Sequence, residues 1–156
     1  MSNGSHVNKT DVVVRLMGVG DIGAITRLEA EIFPDPWPEQ SFRDIVGADD
    51  WTCLLAEAGD AVAGYACIFV SAGEMHLANI AVAAPFRRKS VATRLVSRIL
   101  DIAAQRRCEM ILLEVRVSNQ GARAFYEKEG FASLYTRPRY YRKPIEDALV
   151  MVRYLN

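Results

Sequence analysis

An apolar run at Leu77–Ala84, a basic turn, a helical stripe and a second apolar run at Met110–Val117 stand consecutively in this chain. The stripe places Val91, Leu95, Ile99 and Ile102 on one face and ends near Gln105. A strand over 75–83, a helix over 91–105 and a strand over 110–117 can share a sheet only as a right-handed parallel crossover. The near-continuous apolar character of both strands suits positions covered on both faces. The turn between the first strand and the helix, Arg87-Arg88-Lys89-Ser90-Val91-Ala92, gathers free N–H groups at the positive end of a helix dipole. Such a turn suits a phosphate or pyrophosphate. An ordinary solvated loop with a charged helix start is the alternative.

Around this crossover the remaining elements follow from patterning. Asp11–Met17 is β-branched and reads as a strand. Asp21 is placed to cap a helix running to about Ile32, with Ile22, Ile25, Leu28, Glu29 and Ile32 near helical spacing. Pro34, Pro36 and Pro38 bar regular helix across a loop that carries Phe33 and Trp37. A short helix follows over 39–46. Strands over 51–57 and 61–71 flank the turn at Gly59-Asp60, a hairpin signal. Ser118 is placed to cap a further helix, with Ala122, Phe125 and Tyr126 near one face and Gly130 as its stop. Strands over 131–136 and 147–154 enclose an aromatic, basic loop from Arg137 to Pro144. The order β-α-α-β-β-β-α-β-α-β-β predicts an α/β fold, a mixed sheet with helices on both faces. One domain over 11–156 is expected, preceded by a loose polar tail at 1–10.

The chain has 156 residues, 51% apolar and 24% charged, with 19 basic and 19 acidic residues. Zero net charge gives no support for direct nucleic-acid recognition, which needs many phosphate contacts. No apolar stretch is long enough for a membrane span, and the first ten residues lack the apolar segment of a signal peptide. Cys53, Cys67 and Cys108 are well separated and have no CxxC spacing. They read as buried, reduced thiols, a cytoplasmic setting fits, and no metal site is expected.

Chemistry is expected beyond the carboxyl ends of the two parallel strands, where ligands of such sheets gather. Glu114, within Ile111-Leu112-Leu113-Glu114-Val115, is a carboxylate in an apolar strand. Partial desolvation would raise its pKa and suit a general base. The alternative is a surface-facing residue paired with Arg116. Asn119 either caps the next helix or binds a polar ligand group. Tyr126 is either core with its hydroxyl at an edge or an acid in a cleft. Arg137-Pro138-Arg139-Tyr140-Tyr141 interleaves arginine with aromatics, which can stack on RNA or shape a peptide groove; zero net charge favours the groove.

Together these pieces resemble the GNAT superfamily of acetyl-CoA-dependent N-acetyltransferases, over almost the whole chain from about Val12 to Leu155. They are Phe33-Pro34 with Trp37, Asn79-Ile80-Ala81-Val82, the turn at 87–92, Leu113-Glu114-Val115-Arg116, Ser118-Asn119, Ala124-Phe125-Tyr126-Glu127, Gly130-Phe131, Arg139-Tyr140-Tyr141 and Glu146-Asp147-Ala148. Their order and spacing are most similar to the bacterial ribosomal-protein-alanine acetyltransferases, the RimI group. The resemblance implies a mostly antiparallel sheet with a splayed parallel pair. It implies acetyl-CoA as cofactor, no metal, and the N-terminal alanine amine of ribosomal protein S18 as substrate. Arg87, Arg88, Lys89, Ser90, Val91 and Ala92 would hold the pyrophosphate, and the main chain of Ile80, Ala81 and Val82 the pantetheine. Asn119 would touch the cofactor arm.

By the same resemblance Glu114 is the base, taking the amine's proton directly or through water, and Tyr126 the acid that protonates the departing thiolate. A backbone N–H near Val82 would polarise the thioester carbonyl. Phe33, Trp37, Asn79, Arg139, Tyr140 and Tyr141 would contact the peptide. Ser90 departs from the family pattern, which has glycine there. A side chain can crowd the pyrophosphate, and a left-handed backbone strains serine, although a helical first turn needs no positive φ. A small-amine acetyltransferase and a non-catalytic acyl-CoA-binding protein are the alternatives on the same scaffold.

Overall fold

A computed structural model describes residues 11–155; the tail expected at 1–10 lies outside the described residues. One seven-stranded sheet carries four helices. In chain order these are β1 (Val13–Leu16), α1 (Ile22–Ile32), α2 (Glu39–Ile45), β2 (Trp51–Ala58), β3 (Ala61–Ser71), β4 (Glu74–Val82), α3 (Val91–Gln105), β5 (Met110–Arg116), α4 (Gln120–Lys128), β6 (Ala132–Arg142) and β7 (Ile145–Tyr154). The sheet order is β1-β2-β3-β4-β5-β7-β6. β4 and β5 pair in parallel and all other neighbours antiparallel. The crossover through α3 is thus the one place where the chain needs a helix to return to its neighbouring strand.

Each face of the sheet has its own core. Val91, Leu95 and Ile99 of α3 and Tyr126 of α4 pack on Leu54, Ala66, Ile68, Leu77, Ile111 and Leu113. On the other face Ile22 and Ile25 of α1 and Phe42 of α2 pack on Leu55, Tyr65, Cys67 and Ala81. Full burial of one such aliphatic side chain contributes about 1.5–3 kcal/mol, so these stripes fix which way each helix faces. The three cysteines are free and buried. Cys53 and Cys67 face each other directly across β2 and β3, although 14 positions separate them in the sequence.

Three local expectations are corrected. Asp21 does not cap α1 with its side chain; its carboxylate instead accepts from Gly18 N–H and from the Arg15 guanidinium, which also grips Glu57. Ser118 does not cap α4, because the helix starts one residue later than expected and Asn119 holds the cap position, its Oδ1 accepting from Ala122 N–H at 3.1 Å; Ser118 N–H donates to Glu146 Oε2. The loop expected over 137–144 is mostly strand. β6 runs to Arg142 and re-pairs with β7 at Tyr141↔Glu146, after a register shift that absorbs Pro138 and Arg139. β6 is an edge strand, so Pro138 interrupts no ladder on its outer side, and Arg139 takes a positive φ of 54° within the bulge.

Candidate active site

The site is built where the parallel pair stops pairing. β4 and β5 are matched from Glu74↔Met110 to Leu77↔Leu113, and no further. β5 continues to Arg116 against β7 alone, and β4 continues to Val82 against β3 alone. The parting coincides with a bulge: Cys67 pairs with Asn79 and Ile68 with Leu77, so Ala78 is the extra residue. The bulge also shifts the strand's phase. Met75 and Leu77 face the α3 core, whereas Ala81 faces the α1–α2 core.

Main-chain groups of the open half of β4 lack a strand partner on one side. Ala83 N–H donates to Ala63 O, which makes Gly64↔Val82 a non-hydrogen-bonded pair. The N–H and C=O of Val82 therefore point away from β3, and the two-residue repeat turns those of Ile80 the same way. Ala81 turns its main chain to β3, so of these three residues only Ile80 and Val82 turn theirs away from it. Gly64 permits this approach: a Cβ there would stand 2.5 Å from Ala81 O and 3.4 Å from Val91 Cγ1.

A cavity of about 540 Å³ fills the gap and brings together Phe33, Trp37, Asn79, Ile80, Glu114, Asn119, Tyr126 and Tyr141. A second, of about 570 Å³, is lined by Phe33, Trp37, His76, Glu114, Arg137, Tyr140 and Tyr141. Glu114 borders both. Ile111, Leu113 and Val115 turn to the α3–α4 core, so alternation sends Glu114 to the opposite face. Arg116 is committed elsewhere. It pairs with Glu146 at 3.3 Å, donates to Lys143 O and Pro144 O, and lies 4.3 Å from the Tyr141 ring centroid. The Glu114–Arg116 pairing is therefore not formed, and among the described residues Glu114 has no ion-pair partner.

Tyr126 reaches the gap from α4. The helix ends in a Schellman turn: Gly130, at φ 92°, donates to Glu127 O, and Phe131 N–H donates to Tyr126 O. Phe125 and Phe131 meet the Tyr126 ring edge-on at 5.4 and 5.7 Å. Burial holds the Tyr126 hydroxyl well above the usual tyrosine range, so it stays protonated at neutral pH. Tyr141, at the cavity wall, is pushed up to about 12 by burial, then by Tyr140 and Glu114.

The basic turn is separate from both cavities. Arg87 to Ala92 line neither; Arg87 to Ser90 are exposed, and Val91 is buried as the first anchor of α3. Ser90 is the residue before α3, at φ 65°, and makes no side-chain cap bond. Of the two backbones weighed for Ser90, the left-handed one is found, and Arg88, at φ 62°, shares that region. The first N–H groups of α3 have no partner within the helix. The N–H groups of Ile80 and Val82 also lack a strand partner, while Val82 O accepts from Arg87 Nε at 3.2 Å. Arg139 lines neither cavity and its N–H is held by Asp147 Oδ1; Arg137 lines the second cavity.

Four contributors escaped the sequence reading. Asp35 borders both cavities, and His76 stacks on Phe69 at 4.7 Å beside the second. Glu29 is 2% exposed and accepts from Tyr65 OH (2.5 Å), Asn79 Nδ2 (2.8 Å) and Trp37 N–H (2.9 Å). Its place on the Ile22–Ile25 stripe was the available signal, since a carboxylate on an apolar helix face needs partners. Tyr65 is the fourth. Among the described residues no cluster of three or more potential ligands could hold a metal ion, and no helix is long and apolar enough to cross a membrane.

Known proteins are similar to this chain in sequence and fold. The chain is 31% identical to the [ribosomal protein bS18]-alanine N-acetyltransferase of Salmonella typhimurium, covering 88% of this chain and 94% of that protein. It is 33% identical to the N-alpha-acetyltransferase RimI of Mycobacterium tuberculosis, covering 85% and 90%. The crystal structure of the ribosomal-protein-S18-alanine N-acetyltransferase from Escherichia coli superposes with a TM-score of 0.86 at 26% identity, over 94% of this chain and 95% of that one. The sequence pattern of the acetyltransferase (GNAT) family matches residues 22–131, from the first turn of α1 through the splayed strands to the Schellman turn behind Tyr126. The chain thus belongs to the GNAT family as a RimI-like N-acetyltransferase.

Proposed function

We propose that the protein transfers the acetyl group of acetyl-CoA to the N-terminal α-amine of a protein, with the N-terminal alanine of ribosomal protein S18 as its substrate, in the cytoplasm. The observation that carries this reading is the position of Glu114 between two cavities. One is bounded by the free main chain of β4, the other by aromatic and proline residues. The second supports a peptide over a small amine, because it offers room for residues beyond the first. The presence of both Glu114 and Tyr126 at the gap favours turnover over mere acyl-CoA binding.

Bound acetyl-CoA would supply an activated acetyl thioester. Ile80 and Val82 would pair with its amide-bearing arm as an added strand, and the N–H groups of Arg88 to Ala92 would receive its diphosphate. With Asn119 Oδ1 engaged at the cap, its Nδ2 is the group left for the arm. A Val82 N–H facing the gap would steady negative charge on the carbonyl oxygen. Glu114 would accept the proton of the incoming amine, and the Tyr126 hydroxyl would donate one to the departing sulfur. An α-amine of pKa roughly 7.7–8 is on the order of 10–20% neutral at pH 7, whereas a lysine amine near 10.4 is only about 0.04% neutral. One carboxylate plus positioning is therefore adequate for a chain end.

The test is a peptide panel varying the first two residues, with lysine ε-amine peptides included and acetyl-CoA as donor. An alanine-started peptide carrying the leading residues of ribosomal S18 is expected to lead in kcat/KM. Equal or better turnover of ε-amines or of free small amines would contradict the reading.

A further inference from the structure

Glu29 is a buried carboxylate placed on a helix, with no part in the chemistry above. It accepts three hydrogen bonds from three different parts of the chain. Oε1 joins β3 to β4 through Tyr65 and Asn79, and Oε2 holds the main chain of Trp37 in the loop between α1 and α2. Among the described residues no Lys, Arg or His pairs with it. Leaving such a group half-satisfied is costly, so the three walls are held as a unit. Tyr65 is itself buried, and burial followed by Glu29 keeps its hydroxyl protonated and donating.

Two consequences reach the site. Trp37 and Phe33 border both cavities, so the Glu29–Trp37 bond sets the wall shared by the gap and the groove. Asn79 borders the gap with Glu114. Turned the other way, the Asn79 amide would put an oxygen against a carboxylate oxygen and lose its bond. Nδ2 therefore faces Glu29, and Oδ1 is the acceptor left over. An amine about to attack a carbonyl carries N–H bonds that need acceptors, and Oδ1 of Asn79 supplies one beside Glu114. We infer that Glu29 is a positioning residue for the acceptor amine, tying Trp37, Tyr65 and Asn79 to one carboxylate so that the groove wall and the Asn79 carbonyl are set before the peptide arrives. This rests on the N-terminal acetyltransferase reading.

Glu29→Gln keeps the shape but turns an NH₂ against the Trp37 N–H. The expected result is a peptide KM raised on the order of tenfold or more, as for an unsatisfied buried donor, with CoA affinity by calorimetry within about twofold of the parent. Hydrogen exchange at the Trp37 amide is expected to accelerate, while the Trp51 amide, bonded to Ala48 O at 3.1 Å, keeps its rate. A merely structural role would move peptide KM and CoA affinity together. That outcome, or an unchanged peptide KM, overturns the inference. Should Glu29→Gln fail to fold, Asn79→Ala leaves Glu29 bound to Trp37 and Tyr65; it is expected to raise peptide KM without weakening CoA, and an unchanged peptide KM overturns the inference equally. Each ratio is read on the acceptor that the parent enzyme prefers. A preference for ε-amines would thus sink the functional reading without deciding the role of Glu29.

Discussion

The two halves of the β4–β5 pair are made of the same two strands and do opposite things. From Glu74 to Leu77 and Met110 to Leu113 the strands are hydrogen-bonded, and Met75 and Ile111 are fully buried between them and α3. Beyond Leu77 and Leu113 the same strands have parted, and their inner walls carry Asn79, Ile80 and Glu114 around a cavity. The paired half uses its main chain to join the two strands, and the open half leaves the N–H groups of Ile80 and Val82 without a strand partner. One extra residue, Ala78, separates the two regimes.

Substitutions should sort along that divide. The largest effect is expected at Glu114 in the open half. Glu114→Gln should lower kcat/KM for the peptide by about 10²–10⁴ at neutral pH, the range for loss of a general base, with an unchanged melting temperature. Activity at full rate would remove Glu114 from the chemistry. In the paired half, Ile111→Ala should cost about 2–5 kcal/mol in denaturant unfolding and leave the kinetics of the folded enzyme near those of the parent. A stability loss below that range would mean that the closed half is not the core.

The fold was largely legible because its signals are local. The stripe Val91-Leu95-Ile99-Ile102 and the Gly59-Asp60 turn carry their periods in the sequence itself. Glu114 was legible for the same reason, as a charge in an apolar run. What escaped depends on partners remote in the chain. The Ala78 bulge exists only relative to β3, and the Cys53–Cys67 juxtaposition only through the β2–β3 register. The strand hidden in the 137–144 loop is formed by β7, whose Glu146 pairs with Tyr141 and whose Asp147 holds the Arg139 N–H, and no local propensity of Arg-Pro-Arg reports it. Glu29 needed Tyr65 and Asn79, which lie 36 and 50 positions away.

Two smaller effects sharpen the contrast. Tyr126→Phe should slow single-turnover acetylation by roughly 10- to 100-fold while CoA affinity stays nearly intact, since the ring and its packing on Phe125 and Phe131 persist. An unchanged rate would return Tyr126 to the core alone. At the basic turn, Ser90→Gly relieves a left-handed backbone worth roughly 1–2 kcal/mol, partly offset by the greater freedom of glycine in the unfolded chain. A net gain of about 0.5–1 kcal/mol in unfolding free energy is expected, with CoA binding equal or tighter. Destabilisation would show that the Ser90 hydroxyl makes a contribution larger than its strain.

The proposed chemistry requires the open half of β4 to receive an acyl-CoA arm as a strand. Amide hydrogen exchange resolved at single residues, measured with and without CoA, addresses that most directly. Slowed exchange at Ile80 and Val82 is expected on adding CoA, with Ala81 unchanged because its N–H already points to β3. No change at Ile80 and Val82 under saturating CoA would contradict it.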